Sequence, residues 1–123
     1  CPQETLPKYY AIADFLVFPT RSDPWGLVIN EAMCSGLPVI CSLAAGAAAE
    51  LVYPGFNGLL HKPGDVEKLR EHMLNLLTDS DMLNRMGLSS LSLITAFHPK
   101  KMAQGFAEAV LNLPNKAYKK KYE

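Results

Sequence analysis

Three short apolar runs in the first half of the chain predict the strands of a parallel sheet. The runs are "FLVFP" at 15–19, "PVICS" at 38–42 and "LLH" at 59–61. The first two show no alternation of apolar and polar positions, which is the pattern of strands that are covered on both faces. We therefore expect a sheet whose strands lie inside the molecule.

Between and after these runs, apolar residues recur with the period of helices. The predicted helices lie in "ETLPKYYAIAD", around Leu27 to Cys34, in "AAAELV", from Val66 onward, at about 79–96 and at about 99–112. In the turn "KPGD", Asp65 is expected to cap the helix that follows it. Because strands and helices alternate, the sequence predicts an α/β fold with a doubly wound parallel sheet, followed by C-terminal helices.

Length and charge narrow the choice of partners. At 123 residues the chain is too short for two ordinary domains, so one domain is expected over 1–123. Its 12 basic side chains balance its 12 acidic ones, so no net field attracts nucleic acid or an anionic membrane. The apolar stretches end well short of the roughly 20 residues that a membrane helix needs. We predict no nucleic-acid partner and no transmembrane segment.

The cysteines and histidines indicate neither a disulfide nor a metal site. The cysteines are Cys1, Cys34 and Cys41, and the histidines are His61, His72 and His98. The cysteines show no CxxC spacing, and no histidine has a second ligand at metal spacing. We expect free thiols in a reducing cytoplasm, and histidines that lie at the surface or cap helices.

Two carboxylates, Asp23 and Glu31, frame the stretch "DPWGLVINE". In one interpretation, Asp23 followed by Pro24 caps the helix around Leu27 to Cys34. Glu31 falls away from the apolar side of that helix, so it would then be a solvated side chain.

The position of this stretch favours a second interpretation. In open α/β sheets, ligands bind beyond the carboxyl ends of the strands, where helix N-termini face outward. Gly26 has no side chain, so a diphosphate could approach the N–H groups of Gly26, Leu27 and Val28. If the stretch is helical throughout, Asp23 and Glu31 are on the order of 12 Å apart. That is about the reach from a hexose across a pyrophosphate to a ribose, and carboxylates suit both hydroxyl-rich groups.

The segment "ADFLVFPTRSDPWGLVINEAMCSGLPVICS" resembles a large family of retaining, nucleotide-sugar-dependent glycosyltransferases with two Rossmann-like domains, the GT-B fold. The mark of that family is a Glu, seven residues and a second Glu, usually as EPFGLV followed by EAMA and GLPVI. Here the pattern is Asp23, "PWGLVIN" and Glu31. The similarity continues through "AAGAAAELV", "GFNGLL", "KPGD" and "MG" in the same order.

The resemblance assigns roles to the residues of this pattern. It implies that Glu31 binds the ribose hydroxyls of the donor and that Asp23 contacts the donor sugar, so both are candidate catalytic residues. The residues implied to lie against the sugar and diphosphate are Trp25, Gly26, Leu27, Val28 and Gly46. Two departures from the family are that Asp23 is one methylene shorter than Glu and that Ala47 replaces a second glycine.

The resemblance also implies a fold and a reaction. The chain would be the second half of a Rossmann-like donor-binding domain, and the complete protein would transfer a hexose from a UDP-, GDP- or ADP-sugar to an unknown acceptor without a metal. It would act in the cytoplasm or peripheral to a membrane. The Arg and Lys that neutralise the diphosphate in the family are expected outside these 123 residues, so the chain alone should be inactive.

Two further hypotheses remain open at this point. One is a half-domain without activity that binds a nucleotide or assembles with a partner, and the other is an epimerase or phosphorylase on the same scaffold. The run at 15–19 would lack a neighbour on one side in such a half-sheet, so we expect the chain to self-associate through that edge.

Overall fold

A computed structural model describes residues 3–97 and 99–112. Within them lies one parallel sheet of three strands, β1 (Leu16–Phe18), β2 (Val39–Ser42) and β3 (Gly58–His61), in the order β1-β2-β3. The register pairs Leu16 with Val39, and Val39 with Gly58. The structure therefore confirms the parallel sheet and the three predicted strand positions.

Six helices surround or follow the sheet in the described part of the chain. They are α1 (Leu6–Ile12), α2 (Leu27–Cys34), α3 (Ala48–Leu51), α4 (Val66–Thr78), α5 (Ser80–Ile94) and α6 (Pro99–Leu111), with short 3₁₀ turns at Gln3–Thr5 and Thr95–Phe97. Asp65 accepts a hydrogen bond from the Lys68 N–H at 2.9 Å, so the predicted cap of α4 is confirmed. The helices predicted from apolar spacing are all present.

Two apolar clusters fill the two faces of the sheet. On one face, Val39 and Cys41 of β2 pack with Ile29 and Met33 of α2. On the other face, Ile40 of β2 packs with side chains of β3, α4 and α5. Successive residues of a strand point to opposite faces, so the continuous apolar run of β2 serves both clusters at once.

The first strand is covered on both faces but lies at an edge of the described sheet. Leu16 and Phe18 pack against one cluster, and Val17 packs against the other. All three are nevertheless only half-buried, because β1 is an edge strand that pairs with β2 alone among the described residues. Both faces of the run are therefore covered as predicted, but its residues are not fully buried.

The prediction for the histidines is wrong for two of the three. His61 is 3% exposed and His72 is 7% exposed, so both are buried. A ring nitrogen of each bonds a backbone carbonyl: His61 Nδ1 lies 2.8 Å from the Lys62 oxygen, and His72 Nε2 lies 3.0 Å from the Leu60 oxygen. Each carbonyl satisfies one ring nitrogen, whereas His61 Nε2 and His72 Nδ1 are buried without a hydrogen-bond partner among the described residues. His98 lies outside the described residues.

Cys34 is exposed, Cys41 is buried, and both are free thiols. Cys1 lies outside the described residues. Among residues 3–97 and 99–112, no helix has the length and apolar character needed to cross a membrane. In that same range, no three His, Cys, Asp or Glu side chains are grouped so that they could hold a metal ion.

Candidate functional site

The loops that follow β1 and β2 are joined by backbone hydrogen bonds at the carboxyl edge of the sheet. The Asp23 N–H donates to the Ala44 oxygen at 3.2 Å, and the Gly46 N–H donates to the Asp23 oxygen at 3.0 Å. The Ala47 N–H then donates to the Trp25 oxygen at 2.8 Å. These bonds bring Asp23, Trp25 and Gly46, which the sequence singled out separately, into one rigid pair of loops.

Asp23 shapes its own loop and does not cap α2. Its Oδ1 accepts a hydrogen bond from the Trp25 N–H at 2.9 Å, two residues on. The residue at the cap position of α2 is Gly26, and Pro24 lies outside the helix. The interpretation of Asp23 as the cap of α2 is therefore wrong, because a local turn takes up the carboxylate before the helix begins.

Gly26 is required by backbone geometry and packing. Its φ of +91° is left-handed, and an added Cβ would lie 2.9 Å from Cε1 of Phe18. Gly26 is itself buried, so the space of the missing side chain is filled by the Phe18 ring. The Phe18 ring gives this glycine a structural reason, and the approach of a ligand to its N–H stays a prediction. The exposed start of the helix is at Leu27, and no described side chain caps it.

Trp25 lies half-buried over the first turn of α2. Its indole Nε1 donates to Asn30 Oδ1 at 2.9 Å. This bond fixes the ring orientation next to the loops that carry Asp23 and Gly46. Asn30 had no role in the sequence-based prediction.

Glu31 lies on the flank of α2 that faces α1. The side chains of α2 that are buried in the core are Ile29, Ala32 and Met33, and Glu31 is half-buried away from them, as its helical position predicts. The Tyr10 hydroxyl donates to Glu31 Oε2 at 2.8 Å. Burial, together with the hydrogen bond and the negative charge of Glu31, raises the pKa of Tyr10 to about 12.

A groove of about 390 Å³ separates α1 from α2 beside this carboxylate. Its lining consists of Leu6, Pro7, Tyr10, Asn30, Glu31, Cys34 and Ser35. The groove is thus apolar along α1 and polar along α2. It can hold a ligand that has an apolar face and hydroxyl groups.

The two acids of the motif are not related by one helix. Only residues 27–31 of the span between Asp23 and Glu31 are helical, so the separation deduced from helical rise does not apply. Asp23 belongs to the paired loops at the sheet edge, whereas Glu31 belongs to the groove beside α1. Asp23 lies in the loop before the first turn of α2, and Glu31 lies on the helix just after that turn.

Sequence reasoning missed Tyr10 as a neighbour of Glu31. Tyr10 fits the apolar spacing of α1, and that spacing was interpreted as packing. The two residues are 21 positions apart, so no local pattern links them.

Both a protein family and individual relatives match this chain. The family described as "Glycosyl transferases group 1" matches residues 1–90. The D-inositol 3-phosphate glycosyltransferase of Nocardia farcinica is 33% identical over 108 residues, which are 88% of this chain and 24% of that protein. The O-antigen chain mannosyltransferase B of Escherichia coli is 41% identical over 78 residues, 63% of this chain and 20% of that protein.

Solved structures share the fold. Sucrose-phosphate synthase from Thermosynechococcus elongatus superposes with a TM-score of 0.80 at 32% identity, over 89% of this chain and 28% of that one. HepE from Anabaena in complex with UDP superposes with a TM-score of 0.81 at 30% identity, over 88% of this chain and 30% of that one. The same protein has been solved with UDP-glucose. This chain spans only 20% to 30% of the length of these relatives.

Proposed function

The chain belongs to the glycosyl transferases of group 1, and on that basis we propose that it supplies part of the donor site of an enzyme that transfers a hexose, with retention, from a nucleoside diphosphate sugar to an acceptor. UDP and UDP-glucose in the solved structures of HepE support a donor of this class. The proposal covers UDP-, GDP- and ADP-sugars alike. The free thiols support a reducing, cytoplasmic setting.

One observation carries the proposal: the exposed, uncapped start of α2 lies between the Asp23 loop and the Glu31 flank. A helix N-terminus with free N–H groups attracts a diphosphate. We propose that the N–H groups of Leu27 and Val28 face the diphosphate, while Gly26 sets the turn that presents them. Trp25 and Gly46 would form the wall on the sugar side.

The two carboxylates complete the proposed site. An ionised carboxylate accepts hydrogen bonds from hydroxyl groups through two oxygens, so Glu31 would bind the ribose and Asp23 would contact the transferred sugar. As the glycosidic bond breaks, charge develops on the leaving diphosphate, and the start of α2 would stabilise it without a metal. The acceptor hydroxyl would attack from the face that the diphosphate leaves.

The resemblance implies that further cationic groups are needed for turnover. In the family, an Arg and a Lys neutralise the leaving diphosphate, and we propose that they come from outside these 123 residues. The chain alone is therefore expected to bind a nucleotide without transferring sugar.

Glu31→Gln tests the ribose assignment. Calorimetric titration with UDP, GDP and ADP is expected to show a loss of about 1.5 to 3 kcal/mol of binding free energy for the preferred nucleotide. The melting temperature should hardly change, because Glu31 lies off the core. The matched control is Glu50→Gln, because Glu50 is also a helical carboxylate but is exposed in α3. Unchanged affinity in Glu31→Gln would show that the ribose assignment is wrong.

Asp23→Asn tests the sugar contact separately. The amide oxygen of Asn can still accept the Trp25 N–H, so the loop should keep its shape, whereas Asp23→Ala loses that bond. If Asp23 contacts the sugar, Asp23→Asn weakens binding of UDP-glucose but not of UDP. If Asp23→Asn weakens the binding of UDP-glucose and UDP equally, or changes neither, Asp23 does not contact the sugar and only shapes the loop.

The edge of β1 that has no partner among the described residues favours a second candidate, a half-domain without activity that binds a nucleotide or assembles with a partner. The two candidates differ in turnover. Hexose transfer by the complete gene product, lost on Glu31→Gln, would support the enzyme, and nucleotide binding without any transfer would support the half-domain.

A further inference from the structure

The hydrogen bond between Tyr10 and Glu31 crosses the groove between α1 and α2 and uses only part of the carboxylate. Tyr10 donates to Oε2 at 2.8 Å. A carboxylate offers about four acceptor positions on its two oxygens, so Oε1 remains available to a ligand in the groove. The Tyr10 ring also packs against the core cluster of α2 and β2, so its hydroxyl is held in place.

This arrangement has the properties of a preorganised acceptor. A free Glu side chain loses rotamer freedom when it binds a ligand. With the Tyr10 hydroxyl already bonded to Oε2, part of that loss has occurred before the ligand arrives. The phenol is protonated near neutral pH, so it acts as a hydrogen-bond donor to the carboxylate.

We infer that Tyr10 is a positioning residue, whose hydroxyl fixes the Glu31 carboxylate so that it binds the vicinal hydroxyls of the donor ribose. The inference rests on the proposed role of Glu31. It goes further by naming the side chain that sets the preference for a ribose over a sugar without these hydroxyls.

The alternative is that the bond only fastens α1 to the rest of the molecule. Helix α1 buries none of its residues, so a tie of this kind would matter for stability. The two roles differ in what they affect. A structural tie changes binding of all ligands through folding, whereas a positioning bond changes only the binding that depends on the ribose hydroxyls.

The test compares four variants with two ligands. The variants are Tyr10→Phe, which keeps the ring and removes the hydroxyl, Tyr9→Phe, Glu31→Gln and the double variant Tyr10→Phe with Glu31→Gln. Tyr9 precedes Tyr10 in α1 but is 58% exposed, so it is the matched control. The ligands are UDP and 2′,3′-dideoxy-UDP, titrated by calorimetry, with GDP and ADP and their dideoxy forms as parallel arms.

Tyr10→Phe is expected to weaken UDP binding about 5-fold and to leave binding of dideoxy-UDP unchanged. Tyr9→Phe should leave both unchanged. In the Glu31→Gln background, Tyr10→Phe should have a much smaller effect on UDP, because the two residues act through one carboxylate.

Each other outcome overturns a specific statement. Tyr10→Phe with normal UDP affinity, or with equal losses for UDP and dideoxy-UDP, overturns the positioning role while Glu31→Gln still reports on the ribose assignment. A Tyr10→Phe chain that no longer folds shows a structural tie and also overturns it. A Glu31→Gln chain with normal affinity, or a wild-type chain that binds none of the three nucleotides, overturns the proposed function itself.

Discussion

The α-carbon of Gly46 lies so close to Pro24 that a Cβ on residue 46 would stand 2.0 Å from the Pro24 carbonyl oxygen. The next atoms in its way are the Pro24 carbonyl carbon at 2.8 Å and the Trp25 Cα at 3.2 Å. All three belong to backbone, which cannot move aside as a flexible side chain would. The loops after β1 and β2 are therefore paired at a distance that only glycine permits at position 46.

Gly46→Ala is expected to separate these loops. Forcing a methyl group against backbone should lower the free energy of unfolding by about 1 to 3 kcal/mol and weaken binding of UDP-glucose, because Trp25 on the proposed sugar side moves. Urea denaturation and calorimetry measure the two effects. Gly105→Ala is the control, since its Cβ would meet nothing within 4 Å and alanine favours a helix. Equal stability of the two variants would contradict the close approach.

Trp25 should report on donor binding. It is the single tryptophan of the chain, and its indole is fixed to Asn30 beside the proposed sugar wall. We expect its fluorescence to change on titration with UDP-glucose, while uridine, which lacks the diphosphate and the glucose, should have little effect. Constant emission at a UDP-glucose concentration that calorimetry shows to be saturating would place the sugar away from Trp25.

Folding stability should fall at alkaline pH. Burial raises the pKa of Cys41 from its ordinary value of 9.0 to about 12, so the folded state favours the protonated thiol. The stabilisation is complete below pH 9 and is lost as the pH rises toward 12. Tyr10, whose pKa is also raised to about 12, acts in the same direction from its ordinary value of 10.0.

Urea midpoints at about pH 8 and about pH 11 measure this loss. Cys41→Ala should show a smaller fall between the two pH values than the wild type, whatever its stability at pH 8. An identical fall in both chains would mean that Cys41 does not contribute to the alkaline loss.

The chain is expected to self-associate through β1. The Leu16 N–H donates to the Pro38 oxygen at 2.9 Å on the β2 side, so the backbone groups of Val17 point away from β2. An open row of this kind pairs with another strand. Light scattering over a concentration series should show a mass above that of the monomer.

Amide exchange gives this prediction an internal control. The Leu16 N–H should be protected at every concentration, whereas the Val17 N–H should become protected only as the chains associate. A monomer at high concentration, with Val17 exchanging rapidly throughout, would rule out pairing through this edge.

Regular elements could be predicted because their signals are local. Apolar runs and helical spacing depend on neighbouring residues, and so does the cap at Asp65, which accepts from a residue three positions on. The cap of α2 was mispredicted because the Asp23 carboxylate is taken up by the Trp25 N–H, and the sequence also did not show that Phe18 packs where a side chain at Gly26 would be. A sequence pattern does not show that contact.

Two further features escaped prediction because the partners are distant in sequence. His72 has a carbonyl partner 12 positions away in β3, and Tyr10 has its carboxylate partner 21 positions away. Burial of a polar ring depends on such partners, and they exist only once the sheet and helices have come together. The roles of Asp23 and Glu31 depend on a ligand in addition, so they stay predictions until the titrations are made.

The bond from His72 to Leu60 makes the two edges of the sheet unequal. The carbonyls of Asn57 and His61 accept N–H groups from β2 and the loop after it, so those of Gly58 and Leu60 face the other way. The Gly58 oxygen is taken by the Gly55 N–H at 3.0 Å and the Leu60 oxygen by His72. The two outward carbonyls of β3 are therefore taken, whereas the outward backbone groups of Val17 in β1 have no strand partner among the described residues. Two copies that pair through β1 use the unpaired edge of each, so we expect assembly to stop at a closed pair and not to continue into a filament.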